Sequence, residues 1–242
     1  MEPKSSERDK NPLILKTHEI SKVFGKVQAL HQCSFKIYSG EITGLIGENG
    51  AGKTTCLRII SGTLIPTSGN VQFGNSLMYP EPRHQREKIG YLPEGNPLPQ
   101  DLRVTEYLKF QKSMKSLSSS DLEEVIHLME LGNVLKKFIG DLSTGFRQRV
   151  GLGCAFMGWP RLIILDEPSR GLDPIQREGL RKIIKTASGR SAVIVSTHGL
   201  DELERITSRF IFLKNGHLIH DGETPDAEIS LLDYFLSIKG KE

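Results

Sequence analysis

The chain has 242 residues, a quarter of them charged, with a formal net charge of +3 and a pI near 8.7. That length can bury a sizeable core in one large domain or two small ones, and so small a net charge gives no basic field that would by itself argue for nucleic acid. No apolar run approaches the roughly 18 residues of a membrane span, and the first ten residues lack an apolar signal region, so a chain that neither spans a membrane nor is secreted is expected. Three well-separated cysteines, Cys33, Cys56 and Cys154, fit a reducing compartment and read as small core residues.

Residues 1 to 11 are polar and without periodicity, and read as a mobile tail. Strand patterns follow at Leu13 to Leu15, at Val27 to Leu30, and at Cys33, Phe35 and Ile37, which alternate with polar residues. With turns at Gly25 and at Ser39-Gly40, they predict a small antiparallel sheet. Phe24, beside the first turn, can offer its ring to a purine or pack on the core, and the residues alone leave both readings open.

The apolar run Ile42 to Ile46 then leads into Gly47-Glu48-Asn49-Gly50-Ala51-Gly52-Lys53-Thr54-Thr55, and Cys56 to Ile60 continues as helix. This stretch fits the phosphate-cradling pattern G-x-x-x-x-G-K-[ST] in its required strand, loop and helix context. The glycines let backbone N–H groups point at phosphate oxygens in front of the helix dipole. Lys53 is expected to reach the β- and γ-phosphates of a nucleoside triphosphate, and Thr54 to offer its hydroxyl to Mg²⁺.

A turn at Thr63 to Gly69 and short strands at Asn70 to Phe73 and Ile89 to Leu92 come next. From Val104 to about Leu135 the apolar spacing turns helical, with Ser118 to Asp121 as the turn and N-cap region and Glu123 and Glu124 in the first turn of the second helix. A helical subdomain is thus expected between two halves of an α/β core. Leu162 to Leu165 and Ala192 to Val195 read as strands buried on both faces. Ile211 to Ile219 reads as a hairpin around Asn215-Gly216, and a final amphipathic helix is expected near Asp226 to Ile238.

Two buried strands end in chemistry. Asp166 and Glu167 follow the first, where Asp166 can hold Mg²⁺ and Glu167 can activate water as general base. Ser196, Thr197 and His198 follow the second, and His198 can bind the γ-phosphate or the attacking water. Ser143 can cap a helix whose first N–H groups offer a second anion contact, far in sequence from the phosphate loop.

These stretches together resemble an ABC transporter ATP-binding subunit across residues 13 to about 222: GENGAGKTT, LSTGFRQR at the signature position, LIILDEP as Walker B, GLDP around Asp173 as the D-loop, and STH ending at His198. The resemblance implies a P-loop NTPase of ABC type, with a mainly parallel sheet flanked by helices, an N-terminal antiparallel β subdomain and an inserted helical subdomain at about 95–158. It assigns residues 12–222 to the ATPase domain and 223–242 to a C-terminal helix. It implies a head-to-tail dimer, in which Ser143 and Gly145 of one copy reach the nucleotide on the phosphate loop of the other. Phe24 becomes an ATP contact, and Glu94, at the family's Q-loop glutamine, a Mg²⁺ ligand. The LPE and GFRQR segments resemble a bacterial exporter branch whose permease is a separate chain, which implies an ATPase on the cytoplasmic face of the inner membrane with no direct nucleic-acid partner. Thr144 and Phe146 depart from the signature, as Glu94 departs from the Q-loop. The competing readings are a soluble ABC ATPase acting on nucleic acid and a low-turnover regulatory subunit.

Overall fold

The computed structural model describes residues 11–80, 83–197 and 206–223, together with Asp233, Tyr234 and Ser237. Residues 1–10 of the tail expected over 1–11, His198, and nearly all of the expected C-terminal helix lie outside the described residues.

The chain opens with β1 (Leu13–Phe24), β2 (Val27–Cys33) and β3 (Lys36–Tyr38), and β1 pairs antiparallel with both partners. After β4 (Ile42–Ile46) and α1 (Lys53–Ile60), β5 (Ser68–Phe73) returns to β1 and β6 (Ser76–Leu77) extends that edge. A single turn of helix, α2 (Arg83–Arg86), precedes β7 (Ile89–Leu92). The helices α3 (Val104–Met114), α4 (Ser119–Leu128) and α5 (Thr144–Phe156) lie between β7 and β8 (Leu162–Asp166). The chain then alternates α6 (Pro174–Ser188), β9 (Ala192–Thr197), β10 (Arg209–Lys214) and β11 (His217–Glu223).

Among the described residues eleven strands join one sheet in the order β6-β5-β1-β2-β11-β10-β4-β9-β8-β7, with β3 paired to β1 off that path. The stretch β10-β4-β9-β8-β7 is parallel throughout, and β10 and β11 form the expected hairpin. The continuous apolar runs have a physical cause. Ile163, Leu165, Val193 and Val195 face a core shared with the helices of residues 104–187, whereas Leu162, Ile164, Ala192 and Ile194 face a second core with α1 and the antiparallel strands. With both faces covered there is no solvent side to demand alternation.

Three local readings change. Ser118 caps α4 and closes a capping box with Asp121, so the first-turn acid is Asp121 and Glu123 and Glu124 lie further along. The helical spacing read to Leu135 breaks earlier, because α4 ends at Leu128 and a 3-10 turn occupies Gly132–Val134; Met129, Leu131 and Val134 are still core residues. Helix α6 escaped the sequence reading although Asp173, Pro174 and Gln176 supply an N-cap, a proline at N1 and a capping-box partner.

Candidate active site

The site begins where β4 runs out. At Gly47 a Cβ would stand 2.4 Å from the Leu213 carbonyl oxygen, so the loop can pass β10 only without a side chain. Gly52, at φ +100°, caps α1 in the left-handed region, and a Cβ there would meet the Ala29 carbonyl oxygen at 2.6 Å. The loop therefore curls tightly against the sheet. Lys53 starts α1 and is buried, its Nζ donating to the carbonyls of Gly47 at 2.7 Å and Glu48 at 3.2 Å. An arriving phosphate can take over those two bonds with a stronger, charge-assisted one.

Two acids converge on this lysine from β8. Asp166, at 1% exposure, lies opposite Ser196 in the β8–β9 ladder, and the Ser196 hydroxyl donates to its Oδ1. The same hydroxyl oxygen accepts the Glu167 N–H at 2.9 Å, so one serine orients both acids. Asp166 Oδ2 is buried without a hydrogen-bond partner among the described residues. Burial pushes the Asp166 carboxyl above its ordinary range, the Ser196 and Thr54 hydroxyls oppose the rise, the Glu94 charge adds to it, and Lys53 opposes it. A buried carboxylate oxygen with no partner, close to a threonine hydroxyl, suits a hard divalent cation. Glu167 sits at φ +49°, an uncommon conformation for a side-chain-bearing residue, and its Oε1 lies 4.0 Å from Lys53 Nζ.

These residues surround one cavity of about 650 Å³, lined by the loop from Glu48 through Asn49, Gly50, Ala51 and Gly52 to Lys53, Thr54 and Thr55, and by Ala29, Glu94, Glu167 and Arg170. Glu94 thus reaches the same cavity as the phosphate loop, with its carboxylate held by Arg170. Arg170 escaped the sequence reading. Its signal is an arginine three residues past Glu167 in a tight turn, where the Arg170 N–H donates to the Glu167 carbonyl at 3.2 Å. Phe24 does not line the cavity. It ends β1 at 47% exposure with Lys22 Nζ 5.2 Å from its ring centre, so it is not packed on the core either.

Ser143 and Gly145 are not brought to this cavity. Ser143 caps α5, accepting the Phe146 N–H at 3.4 Å, and with Gly145 it lines a separate hollow of about 360 Å³ beside Phe146, Arg149 and Gln176. Side chains tie the two places together. Buried Gln148 donates to the Pro168 carbonyl at 2.6 Å, just past the acidic pair, and Asn96 donates to the Arg147 carbonyl at 2.8 Å, two residues past Glu94. Asp173 caps α6 by accepting the Gln176 N–H at 2.9 Å. Among the described residues no helix is long and apolar enough to cross a membrane.

Comparison with known proteins agrees with this architecture. Residues 30–170 match the ABC transporter family model. The chain is 35% identical, over 88% of its length and 78% of the relative's, to an uncharacterized ABC transporter ATP-binding protein of Methanocaldococcus jannaschii. An ATP-binding subunit of an ABC transporter superposes with a TM-score of 0.86 at 28% identity, covering 93% of this chain and 99% of that one. A dimeric ATP-binding cassette in a post-hydrolysis state, bound to ADP and Pi, superposes with a TM-score of 0.80 at 26% identity over 87% and 98% of the two chains. With the phosphate loop, the paired acids and the signature helix in these positions, the chain belongs to the ABC transporter family, among its ATP-binding proteins.

Proposed function

We propose that this chain hydrolyses ATP in the cavity between its phosphate loop and the end of β8, and that the hydrolysis drives export through a separate membrane permease. The observation that carries the chemistry is the convergence of Lys53, Thr54 and Glu167 on one hollow, with the buried, unpartnered oxygen of Asp166 next to Glu167 in sequence. The loop N–H groups and Lys53 bind the triphosphate, with Lys53 exchanging its carbonyl partners for β- and γ-phosphate oxygens. Thr54 and Asp166 would hold Mg²⁺, with Glu94 as a further oxygen donor, and the ion would supply neutralising charge to the phosphate oxygens. Glu167 accepts the proton of the attacking water as its oxygen bonds to the γ-phosphorus, the bond to the β-phosphate oxygen breaks, and ADP and phosphate leave. His198 orients that water, a role carried over from the family resemblance.

We also infer a head-to-tail homodimer. Within one chain Ser143 and Gly145 line a hollow separate from the phosphate cavity, so a second copy is what supplies them to the nucleotide. The dimeric form of the solved cassette supports that reading. In the dimer Asp173 lies at the contact between copies and Phe24 stacks on the purine. The division into an ATPase domain over 12–222, a helical subdomain at about 95–158 and a C-terminal helix over 223–242 is part of the same proposal. A permease partner fits the groove of about 880 Å³ beside Tyr91, Tyr107 and Met114, near the loop that carries Glu94, and it would hold the subunit on the cytoplasmic face of the membrane. ATPase assays test the chemistry: Glu167→Gln is expected to bind ATP with little turnover, and turnover equal to that of the unsubstituted chain would contradict the assignment.

A further inference from the structure

The ion pair between Glu94 and Arg170 lies on the lining of the phosphate cavity and is made by residues 76 positions apart. As a stabilising contact it contributes little, because the two side chains are 39% and 66% exposed and water screens them. Its position matters more. Both residues line the hollow that holds Lys53, Thr54 and Glu167. A triphosphate entering it meets, among the described residues, Glu48, Glu94 and Glu167 as lining acids and Lys53 and Arg170 as lining bases. A carboxylate at position 94 therefore repels the ligand unless a cation is fixed beside it. The Arg170 backbone is fixed, since its N–H is bonded to the carbonyl of Glu167.

We propose that Arg170 is a positioning residue that offsets the Glu94 charge and holds the Glu94 carboxylate at the cavity edge, so that this chain binds a magnesium-bound nucleoside triphosphate with an acid where the family has a glutamine. The inference rests on the nucleotide-site reading above. In the nucleotide-free chain the guanidinium binds the Glu94 carboxylate where both line the hollow. When the triphosphate and its cation arrive, the Glu94 oxygen turns to the cation side and the guanidinium faces the added negative charge. The pair therefore sets affinity for the charged ligand more than it sets stability.

The test is binding of a fluorescent, non-hydrolysable ATP analogue with Mg²⁺, read as a dissociation constant for full-length variants whose melting temperatures match that of the unsubstituted chain. Arg170→Ala should weaken binding about tenfold, Arg170→Lys should keep most of it, and Glu94→Gln should tighten it about threefold. The decisive variant is Arg170→Ala with Glu94→Gln, which should recover most of the loss, and the Arg170→Ala loss should shrink at high salt. Equal weakening in Arg170→Ala and in the double variant would overturn the pairing, because Arg170 would then act without Glu94. No shift in either would overturn it as well, leaving a solvated surface pair. Lys53→Ala separates this claim from the site reading: if it abolishes binding while Arg170→Ala changes nothing, only the pairing fails, and if it too changes nothing, the nucleotide site itself is misassigned.

Discussion

The phosphate loop and the signature helix use the same residue, glycine, under opposite constraints. At Gly47 the obstacle to a side chain is backbone, the Leu213 carbonyl on a neighbouring buried strand, which cannot yield. At Gly145 it is the far end of the Gln176 side chain, 2.6 Å from a Cβ, and that amide can swing aside. The first region is built by the sheet and is complete within one chain. The second rests on a few side-chain bonds at the start of α5, and in the proposed dimer its open face meets the nucleotide held by another copy. One chain thus carries a rigid half-site and an adjustable one, joined by Gln148 and Asn96.

The largest expected effect comes from pressing on the rigid half. Gly47→Ala should destabilise the fold by about 3 kcal/mol through overpacking against backbone, or roughly 6–12 °C in melting temperature for a chain of this size, and abolish nucleotide binding. Calorimetry and a binding titration check both. Lys53→Ala should weaken ATP binding by about 2–3 kcal/mol, because a charge-assisted contact is lost, and it should lower the melting temperature less than Gly47→Ala does, since the bonds to the Gly47 and Glu48 carbonyls go with the side chain.

Cutting the link should give an intermediate effect. Gln148→Ala leaves the Pro168 carbonyl without its donor, a cost of about 1–3 kcal/mol, and we expect monomer binding to persist while turnover falls about tenfold because the signature helix is no longer tied to the acidic pair. Gly145→Ala should cost the fold least, under about 1 kcal/mol, since only a side-chain amide has to move, yet it should impair ATP-driven dimerisation. A large melting shift in that variant would remove the contrast with Gly47. The three cysteines should be inert near pH 8: burial raises the thiols of Cys33 and Cys56 and pushes Cys154 up to about 12, so all three stay protonated. Fast alkylation of the native protein would contradict that.

What the sequence made legible divides along the same line. The run Ile42 to Ile46 coincides with β4, and the phosphate pattern and Glu167 line one cavity, because those features are set by neighbours in sequence. Ser196 was visible only as a residue at a strand end. Its grip on both acids comes from the β8–β9 register, which places it opposite Asp166 across 30 residues. Arg170 was hidden for the same reason, since its partner Glu94 is brought to it only when β7 pairs with β8. Helix α6 is not among the expected elements although its start is marked by an N-cap, a proline and a capping-box glutamine, because the same Asp173 also fits the D-loop motif.

The central claim is that ATP is held between the phosphate loop of one copy and Ser143 and Gly145 of another. Size-exclusion chromatography with light scattering on Glu167→Gln tests it most directly, since a variant that binds but does not hydrolyse should accumulate the closed form. The account predicts a dimer with ATP and Mg²⁺ that reverts to monomer with ADP. Monomer alone at saturating ATP and Mg²⁺, with turnover unchanged by the substitution, would contradict it.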